Sequence, residues 1–148
     1  MDLKELKLIL ADDDPDDRFF FKEALQELSQ TTDLTSVHDG EQLMDLLSKS
    51  STDQFHVLFL DLNMPRKNGF ECLSEIKLNK NLNEMPVIII STSLATDVVN
   101  TLYNEGVIYY IRKPGDFTKL KKAIEQSLKR ISQDNIDQPP RENFVIPD

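Results

Sequence analysis

A doubly wound α/β fold with five parallel strands is predicted by three features of the sequence. Short apolar runs alternate with amphipathic helical stretches five times along the chain. The runs Leu6–Ala11, His56–Leu60, Val87–Ile90 and Val107–Ile111 are nearly continuous in hydrophobicity, as expected of strands covered on both faces rather than one. Each is followed at once by polar, site-forming residues and then a helix, the pattern of right-handed crossovers that set every strand's carboxyl end along one rim. In such sheets ligands bind at that rim, where the strand order reverses between the first and third strands.

The first strand, Leu6–Ala11, runs into Asp12-Asp13-Asp14-Pro15-Asp16-Asp17. Asp14 before Pro15 predicts a helix start. An Asp at the N-cap accepts an orphan amide, and proline at the first helical position lacks only a donor that would go unpaired. Asp16 and Asp17 suit the positive end of the helix dipole. Phe21, Leu25 and Leu28 then mark one buried face to about Ser29. Asp12 and Asp13 have no such helical role, and adjacent like charges at a strand end are costly without a cation.

A weaker second strand, Leu34–His38, precedes the turn signal Asp39-Gly40 and a short helix through Leu43, Leu46 and Leu47. The third strand ends in Asp61, before Leu62-Asn63-Met64-Pro65. Alone, an Asp in that place reads more readily as a cap for the following turn than as a site residue. A third helix follows through Phe70, Leu73 and Ile76. The fourth strand finishes in Ser91-Thr92-Ser93. A fourth helix, Thr96–Glu105, is closed by Gly106, and the fifth strand leads to Arg112-Lys113-Pro114. The last helix runs from about Phe117 to Ile131. The reading divides the chain into a domain over 1–131 and a polar tail or arm over 132–148, with Pro139-Pro140 inside it and an apolar end, Phe144-Val145-Ile146, suited to docking.

The 148 residues fit one domain. With 26 acidic against 17 basic residues the formal charge is -9, which disfavours nucleic acid and anionic membranes as partners. No run approaches a membrane span and no signal peptide is evident, so a soluble, cytoplasmic protein is expected. The single cysteine, Cys72, excludes an internal disulfide and reads as packing. His38 and His56 lack the partners of a zinc site. Asp12-x-Asp14-x-Asp16 with Glu23 imitates a calcium-binding loop, but Asp17 stands where that loop needs glycine and Pro15 starts a helix inside it. No glycine-rich nucleotide fingerprint is present.

Four strand ends therefore supply Asp12 and Asp13, Asp61, Ser91 and Lys113. Three carboxylates form a hard-oxygen site suited to Mg²⁺. Asp61 is then a nucleophile able to accept a phosphoryl group, with Lys113 and Ser91 stabilising the transferred oxygens. Over about residues 6–131 this set resembles the receiver domain of two-component response regulators, which implies a flavodoxin-like sheet in the order 2-1-3-4-5 with the site at the switch point between the first and third strands. In that family an acid pair follows the first strand, the phosphoacceptor the third, a Ser or Thr the fourth and a Lys-Pro pair the fifth; Gly69 also fits.

The resemblance implies metal contacts from Asp13, Asp61 and the Asn63 carbonyl, with Asp12 acting chiefly through water. It implies a Lys113-Pro114 bond that is usually cis in the family, and a switch in which Ser91 turns toward the phosphoryl group while Tyr110 swings inward. The Asp-rich start, Ser91-Thr92-Ser93 and the tail look most like the stand-alone regulators that partner phytochromes. The implied partners are a sensor histidine kinase or phosphotransfer protein and a downstream protein target; a homodimer through the fourth-helix and fifth-strand face is compatible with it. The chain would be no enzyme beyond catalysing its own phosphorylation and dephosphorylation. A small Mg²⁺-dependent phosphohydrolase and a phosphorylation-independent interaction module are the alternatives left open by the residues.

Overall fold

The computed structural model describes residues 5–49, 54–93, 95–132 and 137–147. Its elements run β1 (Leu6–Ala11), α1 (Pro15–Gln26), β2 (Thr32–Val37), α2 (Gly40–Lys49), β3 (Val57–Asp61), α3 (Gly69–Leu78), β4 (Val87–Ser91), α4 (Thr96–Asn104), β5 (Tyr109–Arg112) and α5 (Phe117–Ser132), with a short 3-10 turn at Arg141–Asn143. The sheet is wholly parallel, as the alternation of strands and helices requires, and is ordered β2-β1-β3-β4-β5, as the resemblance implies.

The two-residue period of the strands divides the core into two layers. Ile9, Ala11, Leu58, Leu60, Ile89 and Tyr110 pack with Leu43 and Leu47 of α2, Leu73 and Ile76 of α3, and Val99 and Leu102 of α4. On the other face Leu8, Leu10, Phe59, Ile88, Tyr109 and Ile111 meet Phe21 and Leu25 of α1 and Ile124 and Leu128 of α5. Every residue of β3 and β4 is buried, which accounts for their unbroken apolar runs.

Local chemistry sets the boundaries. Asp14 caps α1, its carboxylate accepting the amides of Asp16 at 2.8 Å and Asp17 at 3.4 Å. α1 stops at Gln26, earlier than the apolar face suggests, because the Glu27 and Leu28 amides turn back to the Ala24 and Leu25 carbonyls. Asn68 and Glu71 form a reciprocal capping box at the head of α3. Gly106, at φ 91°, closes α4 in a backbone region that only glycine enters cheaply. The Val107 amide then folds back to the Leu102 carbonyl at 3.2 Å, so the β5 ladder begins at Tyr109 rather than at Val107. β2 begins two residues ahead of the predicted Leu34 because the whole of β1 pairs with it, from Leu6 with Thr32 to Ala11 with Val37.

The apolar end of the chain docks on its own sheet. The Tyr110 amide donates to the Phe144 carbonyl at 3.0 Å and the Ile146 amide to the Tyr110 carbonyl at 2.9 Å, a parallel bridge along the outer edge of β5. Phe144 is fully buried in the layer shared with α4, and Ile146 in the layer shared with α5, so this short segment straddles the sheet edge.

Candidate functional site

The register of the central strands builds the site. Ala11 of β1 lies opposite Leu60 of β3, so the next residues, Asp12 and Asp61, emerge side by side. Asp61 in turn lies opposite Ile90, which puts Ser91 one step further along β4, and the Lys113 amide bonds the Ser91 carbonyl at 2.7 Å. Four loops thus deliver Asp12, Asp13, Asp61, Ser91 and Lys113 to one rim. Asp12, Asp61 and Ser91 are buried, whereas Asp13 and Asn63 are exposed. The carboxylates of Asp12, Asp13 and Asp61 offer oxygens within 4.8 Å of one another.

Two close approaches hold this rim. The Gly69 amide donates to the Leu62 carbonyl at 2.9 Å. A Cβ at Gly69 would lie 2.5 Å from the Asp61 carbonyl oxygen and 2.7 Å from the Leu62 Cα, so only glycine lets the start of α3 press against the end of β3. The Asn63 amide donates to the Asp61 carboxylate at 3.3 Å, and the Asp14 amide to that of Asp12 at 3.0 Å.

Lys113 is the cation of the cluster. Its Nζ lies 3.0 Å from Asp12, 3.3 Å from Asp61 and 2.9 Å from Asp17. Asp17 is a site contact that its position in the first helical turn concealed: it reads as a dipole partner, and its distance of 96 residues from Lys113 leaves no local trace. Burial pushes Asp61 up to about 6; the neighbouring Asp12 charge adds to this, while Lys113 and the Asn63 amide oppose it. Asp12 is raised for the same first reason, against its Asp14 amide and Lys113. Burial alone would lower Lys113, but its bonds to Asp17 and Asp12 outweigh that and hold the ammonium above the ordinary lysine range.

Among the described residues the cations at this rim are Lys113 and Arg18, whose guanidinium donates to the Asp12 carbonyl at 2.8 Å, so the charge of Asp12, Asp13, Asp17 and Asp61 exceeds theirs, and the donor set is all oxygen. That combination fits a divalent cation, which would relieve the repulsion between Asp12, Asp13 and Asp61. Tyr110 is fully buried, and its hydroxyl donates to the Ser93 carbonyl. Its ring is therefore already inward, under Phe144. The Lys113-Pro114 bond is trans rather than cis; among the described residues no peptide bond is cis.

Comparison with known proteins now adds what geometry cannot. The sequence family described as the response regulator receiver domain matches residues 8–125. The chain belongs to that family. A receiver domain of two-component signalling is therefore what the sheet supports, and its relatives work with histidine kinases or phosphotransfer proteins and downstream targets. The chain is 33% identical over 123 residues to a chemotaxis protein CheY homolog of Campylobacter jejuni, covering 83% of this chain and 92% of that one.

Among solved structures it is similar to the phosphorylated cyanobacterial phytochrome response regulator RcpA, with a TM-score of 0.76 and 28% identity over 88% of this chain and 95% of that one. It is similar also to the Mn²⁺-bound form of response regulator Rcp1, with a TM-score of 0.75 and 27% identity over 91% and 99%. By sequence Rcp1 of Synechocystis is 30% identical over 122 residues, covering 80% of this chain and 83% of that one. A receiver domain resembling phytochrome-partner regulators, with an acidic cluster suited to divalent metal, is the coarse identity these likenesses carry. Among the described residues no helix is long and apolar enough to cross a membrane.

Proposed function

We propose that this receiver domain accepts a phosphoryl group on a carboxylate oxygen of Asp61, from a phosphohistidine on a sensor kinase or phosphotransfer protein, and signals through its protein-binding surface. The observation that carries this reading is the convergence of Asp61 with Asp12, Asp13 and Lys113 at the rim between β1 and β3. An Asp61 oxygen attacks phosphorus, the phosphorus–nitrogen bond breaks, and the imidazole leaves with the bonding pair. Lys113 already bonds the Asp61 carboxylate and is placed to follow the negative charge onto the incoming oxygens. Ser91, at the end of β4, supplies a hydroxyl to the same group.

Mg²⁺ is the ion we assign to the cluster; Asp13, Asp61 and the Asn63 carbonyl would hold it, with Asp12 beside them in a supporting role. When bound it supplies positive charge against the phosphoryl oxygens. The phosphorylated RcpA and Mn²⁺-bound Rcp1 structures support both assignments by likeness. Asn63 and Ser93, flanking Asp61 and Ser91, bring neither acid nor base to drive fast hydrolysis; in this reading the chain catalyses only its own phosphorylation and dephosphorylation, and turnover of a generic phosphoester would overturn it.

The test is intact mass after incubation with acetyl phosphate, in Mg²⁺ or in EDTA. A Mg²⁺-dependent gain of one phosphoryl group, absent from folded Asp61→Asn, is expected. Modification that survives in Asp61→Asn would overturn the assignment.

A further inference from the structure

Tyr110 is the residue where the chain's end and the rim meet. Its amide and its carbonyl are both bonded to the segment at Phe144 and Ile146, while its hydroxyl is bonded to the Ser93 carbonyl in the segment that follows β4. The Ser93 amide in turn donates to the Ser91 hydroxyl oxygen at 3.3 Å, and the Ala95 amide to the Ser93 hydroxyl oxygen at 3.2 Å. The Phe144 ring packs against Tyr110, centroids 6.2 Å apart, and edge-on against Tyr103 at 5.1 Å.

Anchors outside the core hold that ring in place. The Tyr103 hydroxyl donates to the Pro139 carbonyl at 2.8 Å, Gln138 Nε2 donates to the Val107 carbonyl at 2.8 Å, and Arg141 Nε to Asn100 Oδ1 at 2.8 Å. Arg141 also covers the outer face of Phe144. These contacts reach α4, the α4–β5 connection and β5 itself, the elements flanking the Ser91–Ser93 segment.

We propose that residues 138–146 form a strap whose docking on β5 fixes, through Phe144 and Tyr110, the position of the Ser91–Ser93 segment beside Asp61. A strap that docks better in one arrangement of that segment must shift the segment's equilibrium, and a group bound at Asp61 that prefers the same arrangement must tighten the strap. The docked strap holds Tyr110 inward with its hydroxyl on Ser93, and so favours the arrangement in which Ser91 is kept at the rim. That last step, toward phosphoryl chemistry, rests on the Asp61 reading above; the coupling of strap to segment does not.

The strap also occupies the backbone edge of β5, so another extended segment could pair at that edge only in its place. Access of a strand-like partner to that edge is thus set by the same docking.

Amide hydrogen exchange followed by NMR on the full chain tests the proposal, without any phosphoryl donor. The native protein is expected to protect the Ile146 and Tyr110 amides. Combined Gln138→Ala and Arg141→Ala loosens the anchors without opening the core, and exchange is expected to rise at Ile146, Tyr110, Ser93 and Ala95 together. Tyr110→Phe keeps the ring but loses the hydroxyl, so exchange should rise at Ser93 and Ala95 while Ile146 stays protected. Adding the anchor variants to Tyr110→Phe should then produce no further rise at Ser93 and Ala95.

Free exchange of Ile146 in the native protein, or release of the strap with Ser93 and Ala95 unchanged, overturns the proposal. In the same variants, affinity for beryllium fluoride with Mg²⁺ is expected to fall about fivefold or more. Unchanged affinity would remove the link to Asp61. A native protein that binds no such mimic and takes up no phosphoryl group would instead remove the Asp61 reading, with the exchange data still deciding the strap.

Discussion

At the carboxyl rim of the sheet the chain buries charge, and along the outer edge of β5 it buries rings. Asp12 and Asp61 are almost inaccessible, and burial raises both above the ordinary carboxylate range, so the folded state holds them against their own preference for water. Phe144 and Ile146 are equally hidden, but they meet apolar neighbours and complete the hydrogen bonding of an open strand. The two regions work in opposite senses. The rim lowers stability in order to hold a reactive carboxylate, whereas the strap adds stability and lies away from the carboxylates. Substitutions should separate these senses.

The largest separation is expected from Asp61→Asn, which should abolish phosphoryl uptake by intact mass while leaving the urea midpoint of the metal-free protein at pH 7 unchanged or higher. The strap should behave in reverse. Phe144→Ala removes a fully buried ring and should cost about 3 kcal/mol of stability by urea unfolding, with uptake from acetyl phosphate persisting. Gly69→Ala should blur the distinction, since its new methyl group meets the Asp61 backbone itself. A loss of about 1–3 kcal/mol together with weaker Mg²⁺ binding, both read by calorimetry, is expected there.

The pH response sharpens the comparison further. Folding raises Asp61 from 3.8 to about 6, so the folded metal-free chain holds more protons than the unfolded chain within that window. Stability contributed by this group is therefore present below it and lost as pH rises through it. In EDTA the urea midpoint should fall between about pH 4 and pH 6, with a smaller fall in Asp61→Asn and no difference in slope for strap variants. The smallest expected effect is that of Tyr103→Phe, which loses one half-buried hydroxyl bond to Pro139 and should cost about 1 kcal/mol in the same assay.

The two regions also differ in how far they were legible from the sequence. The rim was readable because each of its residues stands directly after an apolar run, and a parallel sheet brings all such positions together whatever the loops do. A parallel sheet covered on both faces followed from the same runs, whereas the strand order came with the family resemblance. Asp17 was not readable as a contact of Lys113, because its local role at the helix start explains it fully. The strap escaped for a related reason. Phe144-Val145-Ile146 announces an apolar surface, but its destination depends on an unpaired edge of β5 and on a gap between Tyr103 and Tyr110 that exist only once the sheet is assembled. Proline and polar residues around it carry no periodicity that would name a partner. The trans form of Lys113-Pro114 departs from what the resemblance implied, and nothing in the residues themselves favours one isomer over the other strongly.

Cys72, set on the buried face of α3, has a practical consequence. Its sulfur lies 3.7 Å from the Gly40 carbonyl, and burial pushes the thiol up to about 11. At neutral pH almost none of it is thiolate, and a maleimide or a mild oxidant needs the thiolate and access to it. The chain's sole cysteine is therefore chemically silent in the folded state. A cysteine introduced at exposed Glu142 would be the one reactive thiol on the surface, and a single dye attached there could follow the position of the chain's end with every native core residue still in place.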